Sequence, residues 1–404
     1  MSDTLLRSAV ELAQVPSAVP LGGETLIEPD APVLVEYVQR HLRPRFERLG
    51  ALDIIDLPAN QFAVRFGTGT DTDTGTGAGP CLALVAYTPT QHHNLMADPW
   101  SGRIATPVSD GIDEPCLFGQ GITQNKAHQA CLLALADWLV SEQIKLDGTL
   151  LLCVNNEGRS SHECSHRMLD ALPTTPDLLV QLFPTGFDVT VGNRGRIDLY
   201  VRVTGTATHS STPPPGGGVI AATTAVLARV EKLNEEVTRR TDPELGREQV
   251  IPYQVVFDPL APHTLPNAAK ITLDRRLLPG TDPEDTAAEL RKALDEVATP
   301  GCEVTVEPGV TMLPARFPDD RADLLAPLDA AIAEHLKRPA RHTMYGGSFD
   351  AGGPSSRGIP TVMFGVPEEG DLLGDDFVRI CDLRAQEAIL RRMVTGFFAG
   401  GSRS

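Results

Sequence analysis

Strand-like and helix-like segments alternate through the first half of this chain, stop alternating after Asn193, and resume near Leu313. This interruption constrains the fold more than any other feature. Strands that alternate with helices build a largely parallel sheet with helices packed on it, and a run of different texture inside them reads as an inserted domain. Before the break, helix patterns cover Ser2 to Ala13, which Asp3 can cap, and Ala31 to Leu49, where Val33, Val35, Val38 and Leu42 recur at helical spacing. Phe62 to Phe66 alternates like a strand, Cys81 to Ala86 and Gly148 to Val154 are apolar like buried strands, and Lys126 to Ser141 is a helix. Between the first two strands, residues 67–77 are a run of Gly, Thr and Asp that cannot pack and reads as a surface loop.

The interrupting segment has its own order. Ile197 to Val203 is a strand and Gly218 to Arg239 a long helix. The strands Gln249 to Phe257 and Ala268 to Leu273, the helix Asp282 to Ala298 and the strand Glu303 to Glu307 complete a βαββαβ unit. Such a unit is a small sandwich with helices on one sheet face. The α/β texture then returns with the helix Leu324 to Leu336, the strand Thr361 to Phe364 and the helix Leu383 to Phe398. The expected fold class is therefore α/β, with a discontinuous domain over 1–194 and 313–404 and an inserted α+β domain over 195–312.

Composition sets outer limits. The 404 residues suit two domains, and a formal charge of −18 argues against nucleic acid or an anionic membrane as the main partner. No segment approaches the roughly 20 apolar residues of a membrane span, so a cytoplasmic location is expected. Seven cysteines without a C-x-x-C spacing read as reduced thiols.

Several short motifs carry a resemblance. Leu117-Phe118-Gly119-Gln120-Gly121-Ile122-Thr123-Gln124-Asn125-Lys126 resembles L-Y-G-R-G-x-x-D-x-K. Asn193-Arg194-Gly195-Arg196, then Val203-Thr204-Gly205 and His209-Ser210-Ser211, resemble the entry of a lid domain, and Asp274-Arg275-Arg276-Leu277-Leu278-Pro279-Gly280 matches D-x-R-x-x-P-G. Gly346-Gly347-Ser348-Phe349-Asp350 and Gly358 to Val362 supply a C-terminal block. In order and at this spacing, from about Leu34 to the last helix, they resemble the M20 metallopeptidase and amidohydrolase family, which includes acetylornithine deacetylase, succinyl-diaminopimelate desuccinylase and carboxypeptidase G2. The resemblance implies a catalytic α/β domain, an inserted lid and dimerisation domain, and a site holding two zinc ions.

The residues that would hold those ions are replaced. In the family alignment the first His ligand becomes Tyr87, its orienting Asp becomes Pro89, and the bridging Asp becomes Gln124. The register without gaps sets the family's D-E-E on Glu157-Gly158-Arg159, so the general base is a glycine and one metal-binding Glu is Arg159. The E-P-T motif reads Phe183-Pro184-Thr185, and the last His falls on Leu372. A two-residue slide instead aligns Asn155-Asn156-Glu157, and the opposite slide Ser160-Ser161. Every register lacks the His pair, the bridge and the base. Zinc needs imidazole, thiolate or carboxylate donors in sufficient number, so no metal and no other cofactor is expected. The competing arrangement is a relocated site among His92, His93, His128, His162 and His166, of which only His162 and His166 share a helix-face spacing.

What the alignment retains points to ligand binding. The resemblance makes His209 the lid histidine that polarises a scissile carbonyl from the opposite subunit, and makes Arg276 and Gly347 contacts for a substrate carboxylate; Asn193 sits at the lid entry. His263 stands where the family carries Asn. Ser210, Ser211 and Ser348 read as turn residues. Arg159 is either paired with Glu157 or Glu163, or replaces the metals' positive charge beside an anionic ligand. The expected function is metal-independent action on an amide or acyl linkage of a small amino-acid-like or peptide-like carboxylate. His209 and Arg159 would be catalytic, and Arg276, His263, Asn193, Gly347, Tyr87, Gln124 and Glu157 would contact substrate. The expected assembly is a homodimer through the inserted domain. The opposing reading is a non-catalytic protein that binds a ligand or a true M20 partner.

Overall fold

The computed structural model describes residues 4–19, 28–50, 52–67, 79–91, 95–107, 112–157, 161–370 and 374–399. Asp3, the Gly/Thr/Asp loop, His92, His93, Gly158, Arg159, Ser160 and Leu372 lie outside them. The chain divides into two compact units, one of residues 1–192, 316–343 and 353–404, the other of residues 193–315 and 344–352.

The first unit opens with helix α1 (Thr4–Ala13), which buries Leu5, Ala9 and Leu12. A second helical stretch, Pro32 to Glu47, contains a π-helical segment at Tyr37–Leu42 that ends two residues before Pro44. Proline has no N–H and its ring crowds the carbonyl four residues back; the wider π turn accommodates both. Strands β1 (Asp53–Leu57) and β2 (Gln61–Gly67) form a hairpin. Strands β3 (Cys81–Tyr87), β4 (Thr149–Asn155) and β5 (Leu178–Leu182) are buried along their whole length, as expected of strands covered on both faces. Helix α2 (Ala127–Ser141) follows a π-helical turn at Ile122–Lys126, and helix α3 (Glu163–Ala171) follows β4.

Strand β6 (Val189–Thr204) runs on into the second unit. There its even residues from Arg196 face away from the helices, while Ile197, Leu199, Val201 and Val203 join the core. Helix α4 (Gly218–Val237), strand β7 (Gln249–Asp258), strand β8 (Ala268–Leu277), helix α5 (Pro283–Asp295) and strand β9 (Glu303–Met312) complete an antiparallel sheet in the order β7-β8-β6-β9. The core of this unit lies between that sheet and its two helices, with Val226, Val230, Ile271, Leu273 and Leu290 at its centre.

The chain returns to the first unit with helix α6 (Ala326–Leu336), strand β10 (Thr361–Phe364) and helix α7 (Ile380–Ala399). The sheet there runs β10-β5-β3-β4-β2-β1. Its β10, β5, β3 and β4 are mutually parallel, and β2 and β1 close it antiparallel. This is the mixed α/β architecture expected of the sequence. Strand β1 and the first half of β6 had no period-2 signal.

Candidate functional site

In open α/β sheets, ligands gather beyond the carboxyl ends of parallel strands. Here β3 ends at Tyr87, β4 at Asn155 and β5 at Leu182, so Tyr87, the segment 155–157 and Phe183 mark that rim. Tyr87 lies directly opposite Asn155 in the ladder. Gln129 of α2 donates to the Tyr87 carbonyl and accepts from the buried Tyr37 hydroxyl, tying the helix that follows Gln124 to the end of β3. Tyr87 and Phe183 are each 3% exposed and Gln124 8%.

The segment 155–157 is a structural knot. Asn155 donates to Ser165 Oγ at 3.2 Å, and its carbonyl-side oxygen accepts the Glu157 N–H. Asn156 donates to the Ala59 and Asn60 carbonyls at 2.9 Å each and accepts from the Thr88 hydroxyl, while its own N–H reaches Gln61 Oε1 at 3.2 Å. Glu157 Oε1 accepts the Ser161 N–H at 3.2 Å, and Oε2 accepts those of Cys164 at 2.9 Å and Ser165 at 3.3 Å. A carboxylate so placed satisfies orphan donors and complements the positive end of α3. Glu157, expected to contact substrate, is therefore engaged as a helix cap.

Gln124 sits in the π-helical turn before α2, where Asp376 supplies the cap. Asp376 accepts the Gly121 N–H at 2.7 Å, the Thr123 N–H at 3.3 Å and the Thr123 hydroxyl at 2.7 Å. Burial raises its pKa to about 6 against the pull of those hydrogen bonds. Nearby Lys126 is fully buried; its ammonium donates to the Val15 carbonyl at 2.7 Å and lies 4.3 Å from the centre of the Trp100 ring. Desolvation lowers its pKa to about 7. Sequence reasoning missed Asp376 as the anchor of this turn. Its signal was only the short acidic segment Asp375-Asp376, distant in sequence from the helix it caps.

These residues do not fit a two-metal centre. At the aligned positions the described residues offer a phenol, an amide, a phenyl ring and a carboxylate already holding three N–H groups. Among the described residues no group of three or more His, Cys, Asp or Glu is placed to hold an ion. His162 and His166 have ring centres 6.0 Å apart, and burial pushes His162 down to about 3, as it does His128. His128 Nδ1 is 2.8 Å from the Gln386 amide nitrogen.

The other expected contacts lie in the second unit. His209 pairs with Thr264 in a short ladder, and the His209 and His263 rings are 6.1 Å apart, both side chains exposed. His263 has φ +54°, a left-handed conformation that few residues with a β-carbon adopt. Arg276 is not brought to that pair by any described contact; its guanidinium grips Asp274 through two bonds of 2.8 Å. Asp274 faces Asp198 across the ladder, and Arg196 lies 3.5 Å from Asp198. Arg196, Asp198 and Asp274, with Gln249, Ile251 and Tyr253, line a recess of about 390 Å³. Asn193 is fully buried and donates to the Arg194 carbonyl, and a β-carbon at Gly347 would meet the Tyr345 ring at 2.6 Å. The sequence motifs thus fall into two groups, one in each unit. Arg159 lies outside the described residues.

The family model of the M20 peptidase dimerisation domain matches residues 191–302. The succinyl-diaminopimelate desuccinylase of Stenotrophomonas maltophilia is 25% identical over 310 residues, 73% of this chain and 78% of that protein. The same enzyme of Methylobacterium radiotolerans is 25% identical over 343 residues, 80% of this chain and 82% of that protein. Among solved structures, a tripeptidase of Staphylococcus aureus superposes with a TM-score of 0.69 at 17% identity, covering 98% of both chains. An M20 family metallo-carboxypeptidase of Sulfolobus solfataricus superposes with a TM-score of 0.73 at 13% identity, covering 99% of this chain and all of that one.

Proposed function

The chain belongs to the M20 peptidase and amidohydrolase family, and from that premise we propose that it acts on, or forms, an amide or acyl linkage of a small amino-acid-like carboxylate without a resident two-metal centre. The desuccinylase relatives support the amide linkage and the carboxylate. One observation carries the metal-independent part. The segment 155–157, where the family's acidic motif falls under one register and where it begins under another, has its side chains engaged with backbone and helix end. A metal hydroxide supplies both nucleophile and Lewis acid in metal-assisted hydrolysis. Without it, the chemistry open to this chain is proton transfer or acyl transfer on an activated substrate. In the second unit, His209 acts on the substrate oxygen and His263, its neighbour, meets the carboxylate.

The protein works as a homodimer through its second unit, a reading the dimerisation-domain match supports. The engaged state of Glu157 and the Asp274–Arg276 ion pair favour a second reading, a non-catalytic binder of the same carboxylates. Elemental analysis of dialysed protein, run beside turnover and thermal-shift assays on N-acetyl and N-succinyl amino acids, tests both. Metal-free protein that releases or transfers the acyl group supports the enzyme. One or two tightly held transition-metal ions per chain would refute the metal-independent reading, and stabilisation by ligand without turnover would select the binder.

A further inference from the structure

The turn after β6 fixes more about His209 than its position. His209 Nδ1 lies 2.7 Å from Ser211 Oγ and receives the Ser211 backbone N–H at 3.2 Å. A backbone N–H can only donate, so Nδ1 carries the lone pair. The neutral ring therefore bears its proton on Nε2, and the Ser211 hydroxyl donates to Nδ1 as well. Two further contacts hold the turn, with the Ser210 N–H on the His263 carbonyl at 2.8 Å and the Thr212 N–H on the His209 carbonyl at 2.9 Å. The first of these links the two histidine segments directly, and the His263 ring lies 6.1 Å from that of His209.

We propose that Ser211 is a positioning residue that holds His209 as a hydrogen-bond donor through Nε2, so that the His209–His263 pair receives a carboxylate or acyl oxygen rather than a metal ion. The inference rests on the reading of His209 given above and makes its role narrower: it donates to the oxygen and is not the base that removes a proton. A metal-binding imidazole has the opposite arrangement, its second nitrogen donating an N–H to a carbonyl or carboxylate while the first offers its lone pair. At His209 the second nitrogen accepts instead. The exposed Nε2–H suits an oxygen acceptor.

The test uses the full chain labelled with ¹⁵N-histidine, His209 being assigned by its absence in His209→Gln. Long-range ¹⁵N–¹H correlation distinguishes a protonated ring nitrogen from a bare one. The expected result is a bare Nδ1 and a protonated Nε2 on His209, with N-acetylglycine shifting the Nε2 signal saturably and zinc not shifting it. Ser211→Ala weakens N-acetylglycine binding about fivefold, the effect of one net hydrogen bond, and Ser211→Thr restores it. A protonated Nδ1, absence of N-acetylglycine binding at His209, zinc bound at the pair, or equal affinity in Ser211→Ala would each overturn the proposal. Absence of turnover with these signals intact would count against the enzyme reading alone.

Discussion

Glu157 illustrates how one buried carboxylate can hold a helix end. Its oxygens hold the N–H groups of Ser161, Cys164 and Ser165 at the start of α3. Glu157→Gln keeps the shape but replaces one acceptor oxygen with an NH₂ and removes the charge that complements the helix end. It is expected to lower stability by about 1–3 kcal/mol, the range for hydrogen bonds to charged groups together with the helix-end effect. Urea unfolding of the variant measures this. A variant as stable as the parent would mean the carboxylate is not a cap and is available to a ligand. The sequence made the motif positions at Tyr87, Gln124 and Phe183 legible because a run of consecutive residues is visible in one dimension. It hid the partner of the turn that carries Gln124, because Asp376 reaches Gly121 and Thr123 from more than 250 positions away, and no local pattern encodes such a partner.

At the level of elements, β7 is the feature that calls for a partner. It ends the sheet order of the second unit among the described residues. It exposes Ile251, Tyr253, Val255 and Val256, at 41, 57, 38 and 50%. An apolar open edge invites strand addition, and proteins that stay monomeric blunt such edges with charge. Within the inserted domain expected to dimerise, the edge near Thr206 to Ser211 and α4 are the other candidate contacts. Thr208 and His209, however, already pair with Leu265 and Thr264, a pairing too short to leave a periodic signal. We expect Val256→Lys to shift the protein from dimer to monomer at micromolar concentration in light scattering, with little change in the unfolding of the separated chains. A dimer unaffected by Val256→Lys and by Tyr253→Lys would move the contact to α4, where Ile220 is 44% exposed. The long strands and helices were legible from their periodicity. The π-helical segments were not, since the helix pattern over Ala31 to Leu49 carries no mark of the wider turn at Tyr37–Leu42, and the helix expected from Lys126 gave no sign of the π turn at Ile122–Lys126 before it.

Across the whole molecule, the buried titratable groups of the first unit set how stability should follow pH. His128 and His162 stay neutral when folded, with pKa values pushed by burial to about 3, but take up protons near 6.5 when unfolded. Between those values the unfolded chain binds up to two more protons, so folding weakens as pH falls. Asp376 works the other way. Its folded pKa of about 6 lies above the ordinary carboxyl value of 3.8, so between 3.8 and 6 the folded chain keeps a proton the unfolded chain releases, and falling pH favours folding. Two histidines against one aspartate leave a net of about one proton, a loss of roughly 1.4 kcal/mol per pH unit from these three groups between pH 6 and 4. Lys126 adds a second window. Lowered to about 7 from 10.5, it makes stability rise with pH between those values, because there the unfolded chain alone is protonated. His128→Gln offers an amide oxygen to the Gln386 amide that now meets Nδ1, and should flatten the acid slope by up to one proton. His162→Asn should do the same, and neither should alter the slope between pH 7 and 10. Urea unfolding of parent and variants across pH 4 to 10 gives these slopes directly. An acid slope that is unchanged in both variants would show that the two histidines are not held neutral by burial.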